Sequence, residues 1–169
     1  YSEILEVAED ITQELKSYTS QESLPTVEDG KDLQVRFVAN QDIAPALVGM
    51  LEKAQDRVLI ASPWIWGIKD IVEKLTQLKQ ERNISVKILV RKPESGKEDL
   101  HTQTVRDLWK RGFQVEAEDF LHSKMILVDD KELYIGSANL VQTSLERNLE
   151  VGLCTSNIHA VSEALVYFE

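Results

Sequence analysis

Residues 121–140 read LHSKMILVDDKELYIGSANL. Met125, Ile126, Leu127 and Val128 form an apolar run suited to a buried strand, Asp-Asp-Lys follows as a turn, and ELYIGSA returns as the second arm of a hairpin. The ends of the stretch need another account, because a buried strand has no use for a His and a Lys two residues apart. Alternate side chains of an extended chain share a face, so His122 and Lys124 are expected to point together with Ile126 and Val128 behind them, and Asp129 to point the other way. The returning arm should bring Gly136, Ser137 and Asn139 to the same end. A lysine charge, two hydrogen-bonding side chains and a bare backbone suit a tetrahedral oxyanion, and the imidazole suits proton or phosphoryl transfer. Singly, a strand His is ordinarily structural, a Lys near a turn solvated and Gly-Ser a bulge. The joint pattern H-x-K-x4-D-x6-G-S-x-N is what points to chemistry.

Outward from this hairpin, strand-like and helix-like segments alternate from Asp32 onward, which predicts an α/β domain with a mixed sheet flanked by helices. LQVRFVA reads as a strand, and Asp42 as the cap of a helix running to about Ala54 with Pro45 tolerated in its first turn. RVLIASPWI reads as one continuous strand covered on both faces. A helix with Ile68, Ile71, Val72, Leu75 and Leu78 on one side precedes the strand SVKILVRK. After the polar loop PESGKED comes a helix stopped at Gly112, then FQVEAEDF, the hairpin, NLEVGLCT and a final helix that the chain's end cuts short.

Residues 1–30 have a different character. Ile4, Ala8, Ile11, Leu15 and Tyr18 fall in one helical seam of coiled-coil type, and a Ser-, Pro- and Gly-containing linker follows. The expected organisation is an N-terminal helix and linker over residues 1–30 and one domain over residues 31–169, excised from a longer protein because the chain starts at Tyr1 and stops inside a helix. A chain of 169 residues, 43% of them hydrophobic, can bury one ordinary core.

The single cysteine, Cys154, excludes an intrachain disulfide and a multi-cysteine zinc site, and no long apolar run suggests export or membrane insertion. The expected setting is therefore cytoplasmic, without a membrane partner. The net charge of −10 is concentrated at the start: residues 1–30 hold eight acids against Lys16, a net of −7, leaving −3 for residues 31–169. Between Lys79 and Arg111 there are nine basic and five acidic residues, a local +4, for which solvated surface charge is the simpler reading. The domain body does not exclude a phosphate-bearing substrate.

The pattern resembles the phospholipase D superfamily, whose hallmark is an "HKD" motif followed by Gly-Ser-x-Asn. His122, Lys124 and Asp129 match the first part, and Gly136, Ser137 and Asn139 the second. Glu150 in ERNLEVGL suits the acidic residue that often follows on the next strand. The resemblance implies a phosphodiesterase without metal or cofactor: one His attacks phosphorus, a second protonates the leaving oxygen, and Lys124 and Asn139 neutralise the phosphoryl oxygens, with Gly136 and Ser137 helping to bind phosphate. Glu150 would orient His122, and Asp129 would support the site from a distance.

Two histidines are needed, and His101 and His159 begin no H-x-K. Single-motif members resolve this by forming homodimers around a shared site; a second motif elsewhere in a longer protein is the alternative. Nuclease action on nucleic acid is the leading expectation, with Trp64, Trp66 and Phe120 able to stack on bases, although Trp64 and Trp66 suit a core or pocket wall equally well. The other reading is a ligand-sensing and dimerisation domain of a transcriptional regulator, with a DNA-binding module ahead of the leader helix.

Overall fold

The computed structural model describes residues 35–169. The expected N-terminal helix and linker, and the domain boundary near residue 31, lie outside the described residues. The chain begins with β1 (Val35–Ala39), a short 3-10 turn (Asn40–Asp42) and α1 (Ile43–Glu52). Next come β2 (Arg57–Ser62), β3 (Ile65–Trp66), α2 (Lys69–Arg82), β4 (Ser85–Arg91) and α3 (Leu100–Lys110). The remaining elements are β5 (Gln114–Glu118), β6 (Met125–Val128), β7 (Glu132–Gly136), β8 (Leu140–Val141), α4 (Gln142–Glu146), β9 (Val151–Thr155) and α5 (Ile158–Phe168).

Seven strands form one mixed sheet in the order β1-β9-β7-β6-β2-β4-β5. β2, β4 and β5 run parallel, with helices making the crossovers, while β6, β7, β9 and β1 are joined antiparallel. One face buries Val58, Ile60, Ile88, Val90, Ile126 and Tyr134 beneath α1, α2 and α3. The other buries Leu59, Ala61, Leu89, Leu127 and Leu133 beneath α5 alone. This is the α/β sandwich expected from the alternation of segments. α5 leaves part of its face open: Phe37 is 64% exposed, and Ile135, Val151 and Leu153 are also exposed on the same side of β1, β7 and β9.

Three elements differ from the sequence reading. RVLIASPWI is two strands, because Pro63 has no N–H to continue the ladder and Ile65–Trp66 pairs instead with Leu140–Val141 in a separate two-stranded sheet. β6 starts at Met125, so His122 and Lys124 lie in the segment entering the strand rather than within it. Asp42 occupies the position before α1 without a side-chain capping bond.

Candidate active site

Strand register assembles the site. Ala61 pairs with Met125, Met125 with Ile135, and Gly136 with Gly152. One residue further along, Ser62, Lys124, Gly136 and Gly152 therefore form a row across four strands at one end of the sheet, on the face of the larger core. Gly136 N donates to the Lys124 carbonyl at 3.2 Å, and Ser137 N to the Val151 carbonyl at 2.9 Å, which extends the sheet just past the ends of the strands.

His122 is exposed at this end, and Lys124 is half-buried beside it. The Lys124 ammonium lies 3.1 Å from Nδ1 and 3.3 Å from Nε2 of His122, and donates to the His122 carbonyl at 2.7 Å. Burial pulls the Lys124 pKa below its ordinary value, while the charge of Glu150 acts in the opposite direction.

Glu150 is buried and accepts a hydrogen bond from the Ser137 hydroxyl. Asn148 Nδ2 donates to its other oxygen at 3.4 Å. The hydrogen bond expected between Glu150 and His122 is thus made by Ser137 and Asn148. Asn40, at φ +52°, fixes the backbone of Glu150 by donating its N–H to the Glu150 carbonyl (2.9 Å) and accepting the Glu150 N–H on Oδ1 (3.1 Å).

Asp129 does not join these residues. It sits at the opposite end of β6, where its carboxylate accepts three backbone N–H bonds, from Gln55 (2.8 Å), Asp56 (2.8 Å) and Arg57 (3.0 Å). Asp129 and Asp130 both have positive φ, 52° and 53°, and the Lys131 N–H closes on the Val128 carbonyl in a type I′ turn. A further link to the same region is the ion pair of Asp130 with Arg57. The Asp at this spacing in the motif here ties the β6–β7 turn to the start of β2.

Two buried side-chain atoms among the described residues lack a hydrogen-bond partner, Asn139 Oδ1 and Tyr134 Oη, and both belong to this end of the sheet. The Tyr134 ring leans over the Gly136–Gly152 pair: a Cβ added at either glycine would stand 2.4 Å from the ring or its hydroxyl. Burial pushes the Tyr134 pKa to about 12, with smaller contributions from Cys154 and Glu150. Ser62, wholly buried, donates to the Trp64 carbonyl (2.8 Å) and accepts from Leu140 N (2.9 Å), which fastens the end of β2 to the residue after Asn139. Ser62, Tyr134, Asn40 and Asn148 were invisible to motif reading. The only sequence signal was the alternation that aligns Tyr134 with Gly136.

The other histidines are elsewhere engaged. His101 is buried, with Nδ1 accepting from Ile65 N (3.2 Å) and Nε2 donating to the Arg91 carbonyl (2.9 Å). His159 lies in the first turn of α5, which follows the end of β9 remote from Glu150. His122 is therefore the sole histidine at the site. Among the described residues no three His, Cys, Asp or Glu side chains cluster as metal ligands, and no helix is long and apolar enough to cross a membrane.

The local +4 stretch is largely neutralised. Lys87 pairs with Glu116 (3.0 Å), Lys97 with Glu94 (3.4 Å), Arg106 with Glu98 (2.6 Å) and Arg111 with Asp107 (2.7 Å), while Arg82 binds the carbonyls of Glu52 and Ala54 (both 2.9 Å). Arg91 instead lies over Trp64, 5.8 Å from the ring centroid. Phe120 is 92% exposed and lines a cavity with Leu121, Tyr167 and Phe168.

A sequence profile described as "Cardiolipin synthase, PLD-like domain" matches residues 47–169. The 5'-3' exonuclease PLD3 of Xenopus tropicalis is 28% identical over 166 residues, covering 85% of this chain and 32% of that protein. The chain spans about a third or less of the first curated relatives it matches. Among solved structures, NucT from Helicobacter pylori superposes with a TM-score of 0.65 at 22% identity, over 79% of this chain and 93% of NucT. TrmBL2, an archaeal chromatin protein, aligns over 99% of this chain and 61% of its own, with a TM-score of 0.55 and 21% identity. With a profile match over most of its length and the same α/β layers as these structures, the chain belongs to the phospholipase D superfamily.

Proposed function

We propose that the domain is a metal-independent phosphodiesterase that cleaves nucleic-acid phosphodiesters through a phosphohistidine on His122. The observation that carries this reading is the meeting of His122, Lys124, Ser137 and Glu150 at one end of the sheet, beside two unpartnered buried polar atoms, Asn139 Oδ1 and Tyr134 Oη. Nucleic acid is preferred to lipid because the relatives named 5'-3' exonuclease match 74–85% of this chain, against 45–52% for those named Phospholipase D.

In the reaction, a ring nitrogen of His122 forms a bond to phosphorus as the P–O bond to the leaving group breaks. The departing oxygen takes a proton from a second imidazolium. Water then attacks phosphorus, the second imidazole accepts its proton, and the N–P bond electrons return to His122. In the free site the Lys124 ammonium lies against the His122 ring and donates to the His122 carbonyl; an arriving phosphodiester gives that ammonium an anionic partner and frees the imidazole.

The second histidine comes from another copy of the chain. Support lies in the open apolar strip of Phe37, Ile135, Val151 and Leu153, which begins at the residue next to Glu150. The rest of a longer protein is the other source.

The test is turnover of bis-p-nitrophenyl phosphate and labelled oligonucleotides in excess EDTA, with acid trapping of a phosphorylated histidine. His122→Ala should abolish both signals, and Lys124→Ala should lower kcat by about 100- to 1,000-fold, as for loss of one preorganised charge contact. Wild-type rates in His122→Ala, or full dependence on added metal, would exclude the mechanism. A second reading, a non-catalytic sensing domain, has beside it only a likeness of fold to TrmBL2, a DNA-binding chromatin protein aligned over 99% of the chain. It requires that phosphate esters bind and none is turned over.

A further inference from the structure

Next to the row of Ser62, Lys124, Gly136 and Gly152 is a cavity of about 400 Å³ lined by Trp64, Trp66, Asp99, Leu100 and His101. β2 and β6 are antiparallel with Ala61 opposite Met125, so the segment leaving β2 and the segment entering β6 run off the same edge of the sheet side by side. Past Pro63 the chain leaves that ladder and Ile65 pairs with Leu140 in the parallel β3–β8 sheet, which sets Trp64 level with Asn139. The Ser62 hydroxyl holds this arrangement from below, bonded to the Trp64 carbonyl at 2.8 Å and to Leu140 N at 2.9 Å.

The slot is built rather than incidental. His101 is buried, and its two ring nitrogens are bonded to Ile65 N and the Arg91 carbonyl, so the imidazole is a fixed wall. Trp64 stands edge-on to that ring, with centroids 5.1 Å apart, and remains half-exposed. Arg91 lies over Trp64 and forms no ion pair with a carboxylate among the described residues. It is a cation available at the rim.

We infer that this slot receives the nucleobase flanking the scissile phosphodiester, so that the site acts on unpaired strands. The inference rests on the nuclease reading and names the subsite that reading lacks. An indole face and Leu100 suit a planar aromatic guest. The phosphate group itself is excluded from the slot by the Asp99 carboxylate, which is held there by Thr102 N (2.8 Å) and Thr102 Oγ1 (2.9 Å). A base enters such a slot only when unstacked and unpaired, which selects single strands over duplex. Stacking also fits the charge distribution, because the basic stretch is occupied by its own carboxylates and cannot supply the grip that polyanion binding draws from free cations.

The test uses single-stranded oligonucleotides carrying one abasic residue on either side of the cleaved bond, with intact and duplex strands beside them. Wild-type protein should prefer the intact single strand over the abasic strand by about 10- to 100-fold in kcat/KM. Trp64→Leu should collapse that ratio, and Trp64→Phe should retain most of it. Melting curves for both variants confirm folding. An unchanged intact-to-abasic ratio in folded Trp64→Leu overturns the inference, as does equal cleavage of duplex and single strands. If no strand is cleaved, the nuclease reading fails separately, and anisotropy of the same labelled strands decides the slot: affinity that falls with the missing base and with Trp64→Leu upholds it, and equal affinities overturn it. Trp64-dependent cleavage of phosphatidylglycerol vesicles, with none of oligonucleotides, would assign the slot to a lipid and likewise overturn it.

Discussion

Replacing Gly152 by Ala tests the packing that floors the site. A Cβ at Gly152 would stand 2.4 Å from Tyr134 Cε2 and 2.9 Å from both Cζ and Oη. Carbon atoms in comfortable contact are about 3.5–4.0 Å apart, so the ring would have to retreat by more than about 1 Å. Tyr134 is 1% exposed and has nowhere to go without displacing core neighbours. Overpacking of this kind costs about 1–3 kcal/mol. The three nearest atoms all belong to Tyr134 beyond its Cδ positions, so Tyr134→Leu should relieve the clash while itself costing about 2–4 kcal/mol in lost burial. The double variant should then be more stable than the sum of the two single changes predicts, with a coupling of about 1–3 kcal/mol by urea titration. Gly136→Ala supplies the contrast. Its Cβ would meet not only Tyr134 Oη at 2.4 Å but the Val151 carbonyl oxygen at 2.6 Å, which Ser137 N holds at 2.9 Å. Shortening Tyr134 leaves that backbone clash, so coupling there should be distinctly weaker. Additive effects at Gly152, or equal coupling at both glycines, would refute the claim that the pair exists to admit the tyrosine ring.

Three other outcomes follow from particular contacts. The Tyr134 hydroxyl, held at a pKa of about 12 by burial, stays protonated in the folded state while the unfolded state ionises near 10. Wild-type stability should therefore fall between about pH 10 and 12, by up to roughly 3 kcal/mol, and Tyr134→Phe should flatten that decline in pH-dependent denaturation; identical slopes would show that other groups cause it. Asp129→Ala removes the acceptor of three backbone N–H bonds and should cost about 2–3 kcal/mol of stability while the activity of the protein that remains folded persists, read by denaturation and active-site titration; loss of activity in fully folded Asp129→Ala would return it to the chemistry. Leu153→Lys, on the open strip of β9, should convert a dimer to a monomer in light scattering and abolish turnover, and a monomeric, active wild type would rule out the shared site.

The alternation of apolar runs and capped segments made the layered fold legible, because strands buried on both faces and helices with one apolar side leave a direct trace in residue order. β2 shows where that trace ends: RVLIASPWI is apolar throughout, yet Pro63 interrupts the ladder and sends Ile65–Trp66 to a partner some 75 residues away in sequence, which hydrophobicity alone does not encode. The same limit governs the site. His122, Lys124, Gly136, Ser137 and Asn139 could be named from spacing, since a hairpin brings fixed offsets together, and Glu150 from the family resemblance. Glu150 binding Ser137, rather than His122, depends on cross-strand register and on Asn40, whose contribution comes from 110 residues earlier in the chain. The resemblance gave Asp129 a supporting role away from His122 and Lys124, and its three backbone bonds show a structural reason for a carboxylate at that spacing.

The charge distribution bears on how such a site can hold a polyanion at all. A net of −10 opposes binding of nucleic acid at long range, and most cations between Lys79 and Arg111 already face carboxylates or carbonyls. Near His122 the described structure has Lys124 and, beyond Trp64, Arg91. Lys124 is half-buried with its pKa lowered by desolvation, the condition in which a newly arriving phosphate oxygen interacts strongly with one cation instead of weakly with many. On the proposed reading a site of this kind would rely on a few short contacts and on stacking at Trp64. Both act over ångströms rather than over a Debye length, so recognition would be local to the scissile phosphate and its neighbouring base.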